Sequence, residues 1–309
     1  MRVRIIYLLM LMLLLLPGLL YGQAKVATAG AQFLEIGVSA RAVGMGEAFI
    51  AIADDATALY YNPAGLTQLY EKEFVFTHID YAADMSFEFG GMVYPLWSIG
   101  GIVGVGVYML DAGDIPETTH EYPTGTGRSF GAKEYALGLS YARSLTDHFS
   151  VGVTVKLIDQ VYEDARATGW AADVGTIYDT GFRGFRISMV ISNFGPDMMF
   201  ISQEHPLPIN FKFGGSFNVL ESDLHRATLS LEGSHPSDNL EKYAAGMEYT
   251  FNEMFSLRMG HKFQIDEGGF SAGAGISLPV DEWRIRMDYG YFDFGVLKSV
   301  HRFTFGFSF

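Results

Sequence analysis

The side chains that could do chemistry are few and scattered. His78 and Asp80, in the stretch FTHID, share one strand face and could orient one another as in a hydrolase relay, but no nucleophilic serine can be matched to them. Asp54-Asp55 is a carboxylate pair of the kind that attracts a hard cation, yet it has no further ligands nearby, and one carboxylate is better used as a helix cap. Gly44-Met45-Gly46 opens like a dinucleotide-binding loop, but Phe49 occupies the third glycine position and no βαβ unit follows. The 8 histidines are dispersed without an HExxH pattern. Absence of cysteine removes thiolate metal sites, cysteine nucleophiles and disulfide scaffolds. These observations point away from an enzyme, a metal and a cofactor. An outer-membrane hydrolase is the enzymatic alternative, and a purely structural outer-membrane protein the passive one.

Charges of both signs do recur in a pattern. Lys156, Arg186, Glu232, Glu248, Arg258, Arg284, Arg286, Asp288 and Arg302 all fall at polar positions of stretches that alternate apolar and polar. In HRFTFGFSF, Phe303, Phe305, Phe307 and Phe309 point one way in a strand and Arg302, Thr304, Gly306 and Ser308 the other. Val151, Val153, Val155 and Leu157 likewise oppose Gly152, Thr154 and Lys156, and Trp283, Ile285, Met287 and Tyr289 oppose Arg284, Arg286 and Asp288.

About fourteen such runs follow one another, most near the ~9 to 11 residues of a tilted membrane strand. They begin near Phe74, Met85, Ser98, Lys133, His148, Thr168, Gly184, Pro208, Arg226, Lys242, Phe255, Phe270, Glu282 and Val300. Long links, such as 111–132, 160–167, 195–207, 235–241, 264–269 and 293–299, alternate with mostly tighter ones, such as 144–147, 252–254 and 279–281. That alternation is the mark of an up-and-down antiparallel transmembrane β-barrel, with long loops outside, short periplasmic turns and both termini periplasmic. A soluble sandwich or propeller has no need of it, and no internal repeat is visible.

In this reading the charges line the lumen, where they form ladders between strands and hold whatever fills the interior. Phe74, Phe76 and His78 share one face and would give the lower lumen an apolar patch. Val153 and Phe305 face lipid, where arginine should be costly, whereas Thr154 and Thr304 should accept it. Trp97 and Trp283 lie beside short turns, at the level of the membrane interface.

The N-terminus agrees with the compartment. Arg2 and Arg4, an apolar run over 5–16, a Pro17-Gly18 break and small residues near Gly22 have the layout of a secretory signal peptide, with cleavage expected after residue 22. Losing Arg2 and Arg4 takes the net charge from −14 to −16, which argues against nucleic acid as a partner. Hydrophobic residues make up 49% of the chain, and with no later apolar run long enough for a membrane helix they must be buried by strands. The terminal Phe309 is the expected address for outer-membrane assembly machinery.

One stretch breaks the strand pattern. AIADDATALYYNPAGL, residues 51–66, reads as a helix of one or two turns, capped by Asp54 or Asp55 and stopped where Pro63 disfavours helical geometry at Asn62 and Gly65 can turn left-handed. So short a helix is not stable alone in water. The small residues Ala40, Ala42, Gly44, Gly46 and Ala48 before it would let backbone pass close to backbone. Irregular backbone at membrane depth must be shielded from lipid, so the segment is expected to plug the lumen or its periplasmic mouth. The expected organisation is a signal peptide over 1–22, an N-terminal hatch over 23–72 and a barrel over 73–309.

GVSARAVGMGEAFIAIADDATALYYNPAGL, residues 37–66, resembles the N-terminal signature of the PorV/PorQ family. The shorter Ala53-Asp54-Asp55-Ala56 with Asn62-Pro63-Ala64 is similar to the hatch of FadL-type fatty-acid transporters. The resemblance implies a fourteen-stranded outer-membrane barrel with a hatch formed around Asp54, Asp55, Asn62, Pro63, Ala64 and Gly65. FadL-like members imply passage of hydrophobic molecules, and PorV-like members a partnership with the type IX secretion machinery and its cargo.

Overall fold

The computed structural model describes residues 29–309 other than Trp97, Ile99, Asp266, Glu267 and Lys298. The expected signal peptide, the first residues of the expected hatch and Trp97 therefore lie outside the described residues.

Fourteen antiparallel strands close into a barrel. In chain order they are β1 (Glu73–Asp80), β2 (Ser86–Leu96), β3 (Gly101–Pro116), β4 (Ser129–Ser144), β5 (Phe149–Tyr162), β6 (Ala165–Asp179) and β7 (Arg186–Phe194). A small hairpin that is not part of the wall, β8 (Met198–Phe200) with β9 (Gln203–His205), follows and meets the inner face of β6 through Met198. The wall resumes with β10 (Asn210–Glu221), β11 (His225–Pro236), β12 (Lys242–Phe251), β13 (Phe255–Phe263), β14 (Phe270–Val280), β15 (Trp283–Asp293) and β16 (Ser299–Ser308). β16 closes on β1 in the register Glu73↔Ser308 through Asp80↔His301, so every wall strand has two neighbours and no edge is left to lipid.

The period-2 pattern sorts the two faces. Val153, Val155, Leu157, Phe303, Phe305 and Met287 are exposed outward, while Thr154, Lys156, Arg258, Asp288, Arg302 and Thr304 are buried inward. The terminal strand ends in an aromatic cluster at the rim carrying the chain end. The ring of Trp283 lies 5.2 Å from that of Phe309, and the Lys72 ammonium lies over the Phe309 ring at 5.3 Å.

The links are less regular than their sequence suggests. β5 and β6 run on until only Glu163 and Asp164 join them, with Glu163 left-handed at φ 53°, whereas 180–185 at the opposite rim is longer. A two-residue turn with φ > 0 matches strand twist, so cross-strand pairing extends the hairpin at the expense of the expected loop.

Phe74, Phe76 and His78 do not line the lumen. Phe74 pairs with Phe307 and Phe76 with Phe305, both phenylalanines are exposed outward, and the inward set of β1 is Glu73, Val75, Thr77 and Ile79. Closure of β1 on the phenylalanine face of β16 decides the parity. The apolar pair thus belongs to the lipid-facing band, and His78 joins Glu88 and Asp80 at its upper margin.

Position 305 therefore tests the outward assignment. Phe305→Arg should cost about 2 to 4 kcal/mol near the bilayer midplane. Its fraction of heat-modifiable, detergent-extracted barrel should fall well below that of Phe305→Leu on unboiled gels.

Candidate functional site

The described N-terminal segment fills the barrel interior from one rim to the other. Gly30 donates its N–H to Pro206 at the rim away from the termini, and Lys72 exchanges backbone hydrogen bonds with Phe309 at the terminal rim. Between them lie two short helices, α1 (Ala40–Gly44) and α2 (Ala58–Tyr61), and 3-10 turns at Gln32–Glu35 and Pro63–Gln68. The path is longer than a plug at the periplasmic mouth requires.

Two contact regions hold the segment to the wall. α1 packs on β13 to β16, and the Pro63–Gln68 turn packs on β4 to β6. At both, glycine on the wall makes the space. A Cβ at Gly175 would overlap Asn62 Oδ1, and one at Gly260 would overlap the backbone of Met45 and Gly46. The small residues of the segment thus meet an equally small wall, which sequence inspection of the strands did not bring out.

The caps differ in detail from those expected. α2 starts at Ala58 with Thr57 as its N-cap, and Asp55 Oδ1 accepts from the Thr57 N–H at 2.9 Å and from its hydroxyl. Asn62 is extended, as the following proline requires, and caps the next turn by accepting from Ala64 N–H at 3.0 Å. Its Nδ2 donates to Ile50 O at 2.9 Å and to Ser188 Oγ at 2.7 Å, which ties segment to wall. Gly65 is not left-handed. It lies inside the Pro63–Gln68 turn, where a Cβ would strike Ala53 O, so it serves close approach rather than helix termination.

Asp54 and Asp55 also face guanidinium groups. Arg41, on α1, pairs with Asp54, with Asp55 at 3.2 Å and with Glu248 on β12 at 2.8 Å. Glu248 also takes Arg258 at 2.6 Å, and Arg258 reaches Asp288 at 2.6 Å. Arg286 completes the chain, 3.3 Å from Asp55, 3.1 Å from Glu73 and 3.1 Å from Asp288. The result is a continuous network of Arg41, Arg258 and Arg286 with five carboxylates, buried except at Asp54 and part of Arg286, joining α1, the approach to α2 and four wall strands. Such a network is stable only if each member keeps its partners.

Outside it, Glu232 accepts from the N–H groups of Phe49 and Ile50 at 2.9 and 3.2 Å, and Thr304 Oγ1 from Ala40 N–H at 3.0 Å. Lys262 meets Glu47 at 2.7 Å, and Arg302 donates to Gly37 O at 3.1 Å. Lys156 serves the wall alone, 2.7 Å from Asp173 and from Asn193 Oδ1. Arg186 is half-buried beside Asp179 at 3.4 Å, and Arg284 is exposed at the terminal rim. Thr154 and Thr304 are fully buried in a packed interior, so arginine would not be accepted there: the lumen is filled with protein rather than water.

Arg41, Glu47, Glu73, Asp173 and Lys262 were not singled out from sequence. Arg41 carried a signal, being a lone charge in a run of alanine, glycine and valine.

The remaining internal spaces are small. One of about 90 Å³ lies among Glu35, Glu47, Tyr60, Lys212 and Lys262, and another of about 70 Å³ beside Arg41, Asp54 and Arg226. A larger cavity, about 600 Å³, opens at the rim away from the termini between Ala31, Glu134, Ala167, Met198, Phe200 and His205.

The model of the type IX secretion system protein PorV matches residues 21–236, more than two thirds of the chain. The chain belongs to the PorV family. No curated protein matches its sequence. Among solved structures, the toluene transporter TbuX of Ralstonia pickettii is similar at a TM-score of 0.58 and 13% identity, covering 88% of this chain and 97% of that one. The toluene transporter TodX of Pseudomonas putida gives 0.55 and 12%, covering 93% and 99%. A Pseudomonas aeruginosa FadL homologue gives 0.52 and 9%, covering 88% and 98%. At these identities the likeness is one of fold. This PorV-family chain is an outer-membrane β-barrel.

Removing Arg41 tests the network. Arg41→Ala leaves Glu248 and Asp55 short of a partner and should destabilise the luminal segment by about 3 to 5 kcal/mol. Limited proteolysis should then cut within 51–66 well before any strand is cleaved. Equal resistance of variant and wild type would show that the ion pairs do not hold the segment.

Proposed function

We propose that this PorV-family protein is a non-enzymatic barrel that works closed, as a docking component of type IX secretion, with residues 23–72 as its hatch. The observation that carries the reading is the clamping of the luminal segment by the Arg41 network. A segment tied to many wall strands by buried charge and by interlocked glycine backbone is suited to permanent closure, because releasing it would strand several charges at once. A barrel held shut in this way offers partners its rims and outer wall rather than a passage. The family assignment supplies the system; the secretion-system proteins and their cargo are the partners this reading requires.

A second reading rests on the 600 Å³ cavity. Ala167, Met198 and Phe200 give it an apolar side, and the structural relatives include toluene transporters, which favours entry of a hydrophobic small molecule. Glu134, Gln160 and Tyr162 give it a hydrogen-bonded polar floor.

Two measurements separate the readings. Deleting 25–69 while keeping the signal peptide should leave a heat-modifiable barrel with raised conductance in planar bilayers, whereas the intact protein should be nearly silent. Purification from native membranes should bring down a secretion-system protein with the intact chain. Bound hydrophobic compound without a protein partner would favour transport, and unchanged conductance after the deletion would show that the segment does not block the lumen.

A further inference from the structure

The wall closes strand to strand, but at the rim away from the termini β6 outruns β7. Their pairing ends at Ala172↔Phe194, although β6 continues upward to Ala165. The cause is local. Asn193 is left-handed at φ 59°, and its amide donates to Pro208 O at 3.2 Å. Pro196, where the next bond of the ladder would fall, has no N–H to give. The chain then turns inward, and Met198 seats on the luminal side of Gly169.

That leaves a free backbone row. The Trp170 carbonyl points at Gly195, where a Cβ would overlap it, so Trp170 and every second residue above it, Thr168 and Arg166, turn N–H and C=O away from β5. Among the described residues these groups meet no backbone partner on that side. An unpaired row of this kind is a template for another strand, because extended polypeptide supplies donors and acceptors in alternation at the matching repeat. A lipid or a small ligand does not.

The first described residues of the chain lie beside this row. Ala29, Gly30 and Ala31 line the cavity of about 600 Å³ together with Ala167 of β6. Gly30 donates to Pro206, which leads into β10, the strand on the other side of β7. The free row from Arg166 to Trp170 spans about 13 Å, which a strand of about five residues matches. Residues 24–28, Ala-Lys-Val-Ala-Thr, stand immediately before Ala29. They include no proline or glycine and place the β-branched Val26 and Thr28 at alternate positions.

We propose that residues 24–28 add to the free edge of β6 as a further strand, which closes the side of the cavity between β6 and Pro206. Attachment to the same chain keeps this occupant at high effective concentration, whereas a second copy would have to bring an edge of its own to the rim. The inference holds whether the barrel serves secretion or transport.

The chain has no cysteine, so paired cysteines report the contact directly. Thr168→Cys is combined in turn with Ala24→Cys, Lys25→Cys, Val26→Cys, Ala27→Cys and Thr28→Cys in the full-length protein and oxidised in outer membranes. The linked fraction is then read by mass spectrometry of the digested, heat-modifiable barrel. Neighbouring strands hold outward side chains ~5 Å apart and send the intervening ones to the lumen, so linkage should be high at every second position and low between. In otherwise unaltered protein, deleting 24–28 should abolish the hydrogen-exchange protection of the Thr168 and Trp170 amides while the ladder between β5 and β6 stays protected. Equal linkage at all five positions, no linkage at any, or exchange unchanged by the deletion would overturn the proposal. Disulfide-joined dimers of the single variant Thr168→Cys would assign the edge to a second copy, and so overturn it too.

Discussion

Arg41 and Glu248 stand 2.8 Å apart, both withdrawn from water, one on the luminal segment and one on the wall. Neither charge is tolerable there alone, and each has a second obligation: Arg41 to Asp54 and Asp55, Glu248 to Arg258. Segment and wall therefore stabilise one another through groups that would be liabilities in either by itself. The short helices of the segment, too short to persist in water, inherit their order from this arrangement.

The same constraint explains the glycine on the wall. Irregular backbone inside a membrane protein needs hydrogen-bond partners and must exclude lipid, and both demands are met by bringing it hard against the strands. Glu232, Thr304 and Ser188 supply partners to Phe49, Ile50, Ala40 and Asn62, while Gly175 and Gly260 let the backbones approach. Strand glycine is ordinarily weakening, so its presence at these contacts has a structural cause that local strand preference does not contain.

The outward face obeys a different rule. There, apolar side chains need only present a continuous band to lipid, and the chain achieves this with scattered Val, Leu, Met and Phe rather than specific contacts. Specific arrangements appear where the band ends: the ring cluster of Trp283 with Phe307 and Phe309, the polar group around His78, and the pairing of Arg166 on β6 with Asp159 on β5. A membrane barrel thus has selective surfaces at its margins and in its lumen, with a permissive zone between them.

The strands, their number, the outward band and the existence of an unusual N-terminal segment were all legible in the sequence, because a period of two is a local property and each strand states its own alternation. Asn62 was legible for a similar reason, since its neighbour Pro63 restricts it directly. Which parity of β1 faced inward was not, because Phe74 and Phe76 take their side from pairing with β16, more than 200 residues away. Nor were the guanidinium partners of Asp54 and Asp55: the capping that sequence suggests survives in the bond from Thr57 N–H to Asp55, but only closure delivers the two carboxylates to Arg41 and Arg286. Local spacing sets backbone periodicity and caps; the partner of a buried charge, and the wall glycine that admits a backbone, exist only once the barrel has closed around the segment.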